Sequence, residues 1–212
     1  MDIYDAVIIG SGVAGLSTAV AAAEEGLRVC VLTKEEDTSE CNTYYAQGGI
    51  VGEGINDTPE LLAEDIMNAG DYLNFREAVN LLAAEGPKCV REYLIEKAKV
   101  PFYRDKKGEL DRTREGAHST RRILHVRDES GKAVETGLLR YAETFSNINF
   151  FRNHISIDLI TNSHHARHTD ERYKRARVIG VYALNEDSGE VVSIFGSAVD
   201  RKSTRLNSSH YS

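Results

Sequence analysis

The chain has 212 residues, 41% of them hydrophobic and 28% charged, which fits a globular domain of ordinary size and excludes a fibrous repeat or a disordered polymer. A net charge of −7 disfavours a general nucleic-acid binder, and the apolar runs are too short for a membrane-spanning helix. Cys30, Cys41 and Cys89 form neither a CxxC nor an even disulfide set, which points to a reducing compartment.

Residues 4–9 are a short apolar run ending in Gly10, with no space before it for a signal peptide, so the expected location is the cytoplasm. Residues 13–25 have helical composition, with Leu16 and Val20 four apart, and Gly26 closes that helix. Residues 28–32 are a second apolar run. Strand, glycine-rich turn, helix and strand within about thirty residues make the βαβ unit of a parallel sheet.

Residues 33–57 are polar and carry no sustained period, so they read as a long ordered loop or a ligand loop. Thr58, Pro59 and Glu60 read as N-cap, first helical residue and dipole-favoured acid of a helix to about Ala69. Asn74 is expected to cap a helix over 75–85, and Gly86-Pro87 to break it. A further helix is expected over 87–98, with Val90, Tyr93 and Leu94 on one face.

The run 105–108 (DKKG) predicts a hairpin turn between 100–104 and 109–112. Residues 113–129 are dense in charge. A helix is expected over 132–146, strands over 148–151 and 154–160, and a hairpin pairing 176–184 with 190–196. The apolar run 191–199 ends at Asp200. Residues 200–212 then lose all pattern and read as a non-native or a disordered tail.

Gly10-Ser11-Gly12-Val13-Ala14-Gly15 is a GxGxxG turn framed by strand and helix. Its first glycine permits the tight turn, its second lets backbone approach a pyrophosphate, and its third lets helix and strand pack closely. The helix N-terminus offers its N–H groups to the anion. The second strand ends Leu32-Thr33-Lys34, without the usual ribose-binding acid at its tip. Either Lys34 and backbone hold the ribose, or Glu35 is displaced into that role. The stretch 41–50 (CNTYYAQGGI) places two adjacent glycines beside neutral hydrogen-bonding side chains, which suits the polar edge of a flat ring.

GSGVAGL over 10–16, VLTK over 31–34 and NTYYAQGGI over 42–50 resemble the succinate dehydrogenase, fumarate reductase and L-aspartate oxidase superfamily of flavoproteins. The resemblance implies an α/β, Rossmann-like FAD-binding domain: a parallel sheet with a βαβ start plus a β-hairpin or meander. It implies that residues 1–199 are the N-terminal part of that domain, truncated, with the capping and C-terminal helical domains absent. The implied cofactor-binding residues are Gly10, Ser11, Gly12, Val13, Ala14, Gly15, Lys34, Asn42, Thr43, Tyr44, Tyr45, Ala46, Gln47, Gly48 and Gly49, with Ile155 and Ser156. Asn42 stands where the succinate dehydrogenase branch carries the histidine that bonds covalently to FAD, so non-covalent FAD is expected.

The stretch 113–119 (TREGAHS), followed by Arg121, Arg122, Ile123, Leu124, His125 and Asp128, resembles the L-aspartate oxidase branch, where Ala117 replaces a usual glycine. Glu115 falls where the dicarboxylate dehydrogenases carry glutamine, and is expected to orient the α-ammonium of aspartate. The resemblance implies oxidation of L-aspartate to iminoaspartate on the way to quinolinate and NAD. Oxygen or fumarate would be the electron acceptor and quinolinate synthase a partner. No catalytic residue and no metal site are expected within the chain, and the fragment alone is expected to be inactive. The alternatives are a succinate dehydrogenase or fumarate reductase flavoprotein subunit, or a non-catalytic FAD-binding module. Arg114, Arg121, Arg122, His118 and His125 read either as a cationic wall for a dicarboxylate or as a charge cluster paired with Glu115, Asp128 and Glu129. Ser119 lacks the GxSxG context of a hydrolase nucleophile. His164, His165 and His168 read as a solvated loop, and Cys30 and Cys89 as core thiols.

Overall fold

A computed structural model describes residues 3–163, 166 and 168–201; His164, His165 and the tail beyond Arg201 lie outside the described residues. In chain order the elements are β1 (Ile3–Ile9), α1 (Val13–Glu24), β2 (Val29–Leu32), β3 (Gly49–Val51), α2 (Pro59–Ala69) and α3 (Arg76–Cys89). A π-helical continuation (Val90–Lys97), β4 (Ile123–His125), α4 (Ser130–Ala142), β5 (Ile148–Phe151) and β6 (His154–Thr161) follow. A 3-10 turn (Thr169–Tyr173), β7 (Val178–Asn185) and β8 (Val191–Arg201) complete the chain. Among the described residues two compact units emerge: one from those up to 41 together with those from 141 onward, and one from residues 42–140.

The first unit is one six-stranded sheet in the order β5-β2-β1-β8-β7-β6. Its first four strands are parallel, and β7 and β6 are antiparallel. All four residues of β2 are buried, as a central parallel strand requires. Helix α1 is the crossover from β1 to β2, with Leu16, Ala19, Val20 and Ala23 buried along one stripe.

The connectivity forces this sheet to roll. β5 and β6 are its two outermost strands, yet only Arg152 and Asn153 lie between them. Five inter-strand spacings span roughly 24 Å, whereas three Cα steps reach at most about 11 Å. The β6–β7 hairpin therefore folds back over β1 and β2. Tyr4, Val7, Cys30 and Leu32 from the parallel layer and Val181, Ala183 and Ile194 from the returning layer close one buried core. β8 makes the bend by changing partners. Residues 191–195 pair with β7, and 195–201 pair with β1. At the changeover stands Gly196, where a Cβ would come within 2.7 Å of a Val7 methyl.

The second unit packs α2 against α3 through Leu62, Ala63, Met67, Val79 and Ala83, with β3 and β4 as an antiparallel pair. Thr58 caps α2 as expected, its Oγ1 accepting from the Leu61 N–H at 3.2 Å. The expected turn at 105–108 is present, with Asp105 N–H donating to the Glu109 carbonyl at 2.8 Å, and it is flanked by the Arg104–Leu110 bridge and by Asp111 N–H donating to the Tyr103 carbonyl at 2.9 Å.

Several expectations are corrected. The long polar loop contains β3 and the charged stretch contains β4, each only three residues long. Phe75, not Asn74, is the N-cap of α3, because the Asn74 amide lies over Gly70 instead. Gly86-Pro87 does not break the helix. Pro87 has no N–H for the carbonyl four residues back, and beyond it the ladder widens to i→i−5, with Ala98 N–H donating to the Tyr93 carbonyl at 2.9 Å. Helix α4 starts at Ser130, whose Oγ accepts from Val126 N–H at 2.9 Å, and ends at Ala142 rather than 146. Cys89 is exposed, because Val90 and Leu94 carry the buried stripe onward and leave it to one side. Asp200 does not stop β8; it pairs with Ile8 in the parallel ladder, whose bonds are all backbone.

Candidate functional site

The Gly10–Gly15 turn connects the end of β1 to α1. Gly10 has φ +104°, a conformation that L side chains rarely adopt, and its N–H donates to the Leu32 carbonyl at 2.8 Å. A Cβ on Gly15 would collide with the Gly10 carbonyl, so the third glycine is what lets the helix descend onto the turn. Gly12 occupies the N-cap with no side-chain cap, and the first turn of α1 carries no acid. An anion is the ligand chemistry that suits such an end, in contrast to the Thr58-capped α2. The turn therefore fits the pyrophosphate of a dinucleotide.

Ser11 is placed in the turn, but its hydroxyl is committed inward. It is buried, donates to the Thr38 carbonyl at 2.6 Å and lies 3.3 Å from Thr33 Oγ1. Arg152 Nε donates to Thr38 Oγ1 at 2.9 Å, so the 33–38 segment is tied down from both sides. Both ribose candidates lie here as one pair: Lys34 Nζ and Glu35 Oε1 are 2.8 Å apart on the surface. That carboxylate raises the Lys34 pKa above its ordinary value, first through the hydrogen bond and then through its charge. Ile155 and Ser156 stand on β6 opposite Leu184 and Ala183, beside the bulge between Ser156 and Asp158.

In the second unit, residues 42–48 form a turn closed by Ala46 N–H donating to the Thr43 carbonyl at 3.1 Å. Gly131 N–H, in the first turn of α4, donates to the Ala46 carbonyl at 3.1 Å. Tyr44 and Tyr45 meet edge to face with ring centroids 5.4 Å apart, and Asn42, Tyr45, Ala46 and Gln47 are exposed. Gly48 has φ +84°. The Gly49 backbone is close-packed for an internal reason: a Cβ there would strike Ile123 and the Leu124 carbonyl of β4.

Residues 113–122 fold back on the same unit. Arg114 Nε donates to the His118 carbonyl at 2.8 Å, and His118 N–H reaches the Glu115 carbonyl at 3.3 Å. Ala117 turns this corner with φ +67°. The Glu115 side chain is exposed and carries no ion pair among the described residues.

Among the described residues the cations of this cluster make no ion pair with Glu115, Asp128 or Glu129; each turns to a separate partner. Arg121 Nε donates to the Arg112 carbonyl at 2.8 Å. His125 Nε2 is 3.9 Å from Asp111, and its ring lies beside Tyr103 at 5.2 Å. Arg122 is completely buried. It donates from Nε and Nη2 to the two oxygens of Asp57, at 2.7 and 2.8 Å, and from Nη1 to Asp65 at 2.6 Å. Asp65 Oδ2 also accepts from Ser119 N–H at 2.8 Å and Ser119 Oγ–H at 2.9 Å. Burial pushes the Asp65 carboxyl up, but the Ser119 and Arg122 bonds outweigh it and hold the group below the ordinary carboxylate range. Sequence reasoning missed Asp57 and Asp65. Their one signal is that Arg122 directly precedes the buried Ile123-Leu124, so a buried cation there needs carboxylates from elsewhere.

Residues 5–203 match the family described as FAD binding domain. The chain is 38% identical over 189 residues to an L-aspartate oxidase of Acinetobacter baylyi, covering 89% of the chain and 33% of that protein. It is 41% identical over 159 residues to the chloroplastic L-aspartate oxidase of Arabidopsis thaliana, covering 74% of the chain and 24% of that protein. Among solved structures, Mycobacterium smegmatis Sdh1 in complex with UQ1 superimposes with a TM-score of 0.78 at 26% identity, covering 93% of the chain and 33% of that structure. A quinol-fumarate reductase with menaquinol superimposes at 0.80 with 24% identity over 94% of the chain and 33% of that structure, a likeness of fold. The chain spans about a third or less of the length of these relatives.

Proposed function

The chain belongs to the FAD binding domain family, and on that premise we propose that the protein it forms part of is an L-aspartate oxidase of the cytoplasm. It oxidises L-aspartate to iminoaspartate, with oxygen or fumarate as final acceptor, and hands the product to quinolinate synthase for NAD synthesis. Identity of 38–41% to curated L-aspartate oxidases supports this branch. The observation that carries it is Glu115: an exposed carboxylate with no ion pair among the described residues, in a segment whose arginines donate to other oxygens.

Bound FAD supplies a two-electron acceptor. The residues assigned to hold it are the Gly10–Gly15 turn for the pyrophosphate and Lys34 for the ribose. The 42–49 loop, with Asn42, Thr43, Tyr44, Tyr45, Ala46, Gln47, Gly48 and Gly49, is assigned to the ring, and Ile155 and Ser156 are assigned to the cofactor as well. Asn42 has no nucleophilic ring nitrogen, so attachment is non-covalent. Glu115 binds the α-ammonium of aspartate and orients Cα, a role that succinate, which has no ammonium, does not engage.

Turnover of aspartate against succinate by the full-length protein tests the reading. Aspartate is expected to be the better substrate, and faster succinate oxidation would transfer the protein to the dicarboxylate dehydrogenases.

A further inference from the structure

We propose that the buried Arg122–Asp65 pair is a positioning device for the site: it fixes His118 and Ser119, and through them the turn that presents Glu115. The inference rests on the assignment of Glu115 to the substrate ammonium.

The proton inventory leads to it. A guanidinium has five N–H donors and accepts nothing. Arg122 uses Nε and one Nη2 hydrogen on Asp57 and one Nη1 hydrogen on Asp65. Its Nη1 is also 3.1 Å from His118 Nδ1. Because the arginine only donates, His118 Nδ1 is the acceptor. The neutral ring then carries its proton on Nε2, a tautomer dictated by Arg122 rather than by solvent. On the next residue, Ser119 gives both its backbone N–H and its hydroxyl to one oxygen of Asp65, the oxygen that also receives Arg122.

His118 and Ser119 are thus held by side chain and backbone together. His118 is the residue that closes the Glu115 turn, through its carbonyl to Arg114 and its N–H to Glu115. Ala117, between them, is in a left-handed conformation that a non-glycine residue keeps only when its surroundings fix it. The chain of constraint runs from Asp57 and Asp65 through Arg122 to His118, and from there to the backbone that carries Glu115. None of these groups needs to touch substrate.

Two measurements on the full-length protein with FAD test this. The first is the nitrogen-15 spectrum of His118, assigned by its loss in His118→Gln and recorded above the ordinary histidine titration range. An unprotonated Nδ1 is expected, giving way to a tautomer mixture in Arg122→Lys. A protonated Nδ1 in the unmodified protein would overturn the proposal whatever the substrate turns out to be. The second is the ratio of kcat/KM for aspartate to kcat/KM for succinate in Ser119→Ala and Arg122→Lys. The ratio is expected to fall about tenfold, with FAD affinity kept. Equal losses on both substrates would mean a merely structural network. If Arg122→Lys does not fold, Ser119→Ala, which keeps the backbone bond to Asp65, decides alone. Should the unmodified protein prefer succinate, the functional reading fails while the tautomer measurement still stands.

Discussion

Arg114, Arg121 and Arg122 each donate to an oxygen other than Glu115's, and among the described residues the exposed Glu115 carboxylate has no ion pair. An α-ammonium placed against it makes a charge-assisted hydrogen bond of about 1.5–3 kcal/mol. Glu115→Gln keeps the shape and removes the charge. Aspartate kcat/KM in the full-length protein should fall by about one to two orders of magnitude, with fumarate reduction kept or improved. Parallel declines in both activities would retire Glu115 as a selector. Two further residues make separate predictions. Gly12→Val puts a side chain on the uncapped N-terminus of α1, and FAD titration should show binding lost with the circular dichroism spectrum kept. Ala117 holds φ +67° where the resembling branch carries glycine. Ala117→Gly relieves that strain, partly offset by a more flexible unfolded chain, and should stabilise by about 0.5–1 kcal/mol in urea titration.

Among the elements, the junction of α2 with the 113–122 segment is acid-sensitive. Asp65 has a folded-state pKa below its ordinary value, because the Ser119 and Arg122 hydrogen bonds outweigh burial. The sign follows: this contribution to stability is complete above the ordinary aspartate range and disappears as pH falls through the lowered value. Asp65→Asn should therefore flatten the acid limb of the stability-versus-pH curve; an unchanged limb would remove Asp65 from that role. The elements also show where sequence reasoning works. The βαβ start and the β7–β8 hairpin announce themselves, because apolar runs bounded by glycine or turn residues are local signals. β3 and β4 do not, since three residues per strand hold no period and their pairing joins Gly49 to His125 across the chain. The same holds within the site. The glycine turn is legible because its geometry is written in six consecutive residues. Arg122 is misleading because its partners, Asp57 and Asp65, lie 65 and 57 residues away. Pro87 misleads for another reason: its missing N–H is absorbed by a wider helical ladder instead of ending the helix.

For the whole protein, non-covalent FAD is expected from Asn42. Acid precipitation of the full-length protein should leave yellow flavin in the supernatant, and flavin retained in the pellet would contradict the assignment. The rolled sheet sets a schedule for synthesis. β1 is made first, yet one of its two hydrogen-bonding edges is closed only by residues 195–201 of β8, about 190 residues later in the chain. At ~5–20 residues per second, a ribosome takes roughly 10–40 seconds to deliver that partner. Throughout this interval the apolar β1 offers an open backbone edge to any passing strand. β2 protects only its other side, and β5 pairs with β2 rather than with β1. The nascent chain is thus most exposed to mispairing while unit 42–140 is being translated, and the bend at Gly196 is the last event that removes the hazard.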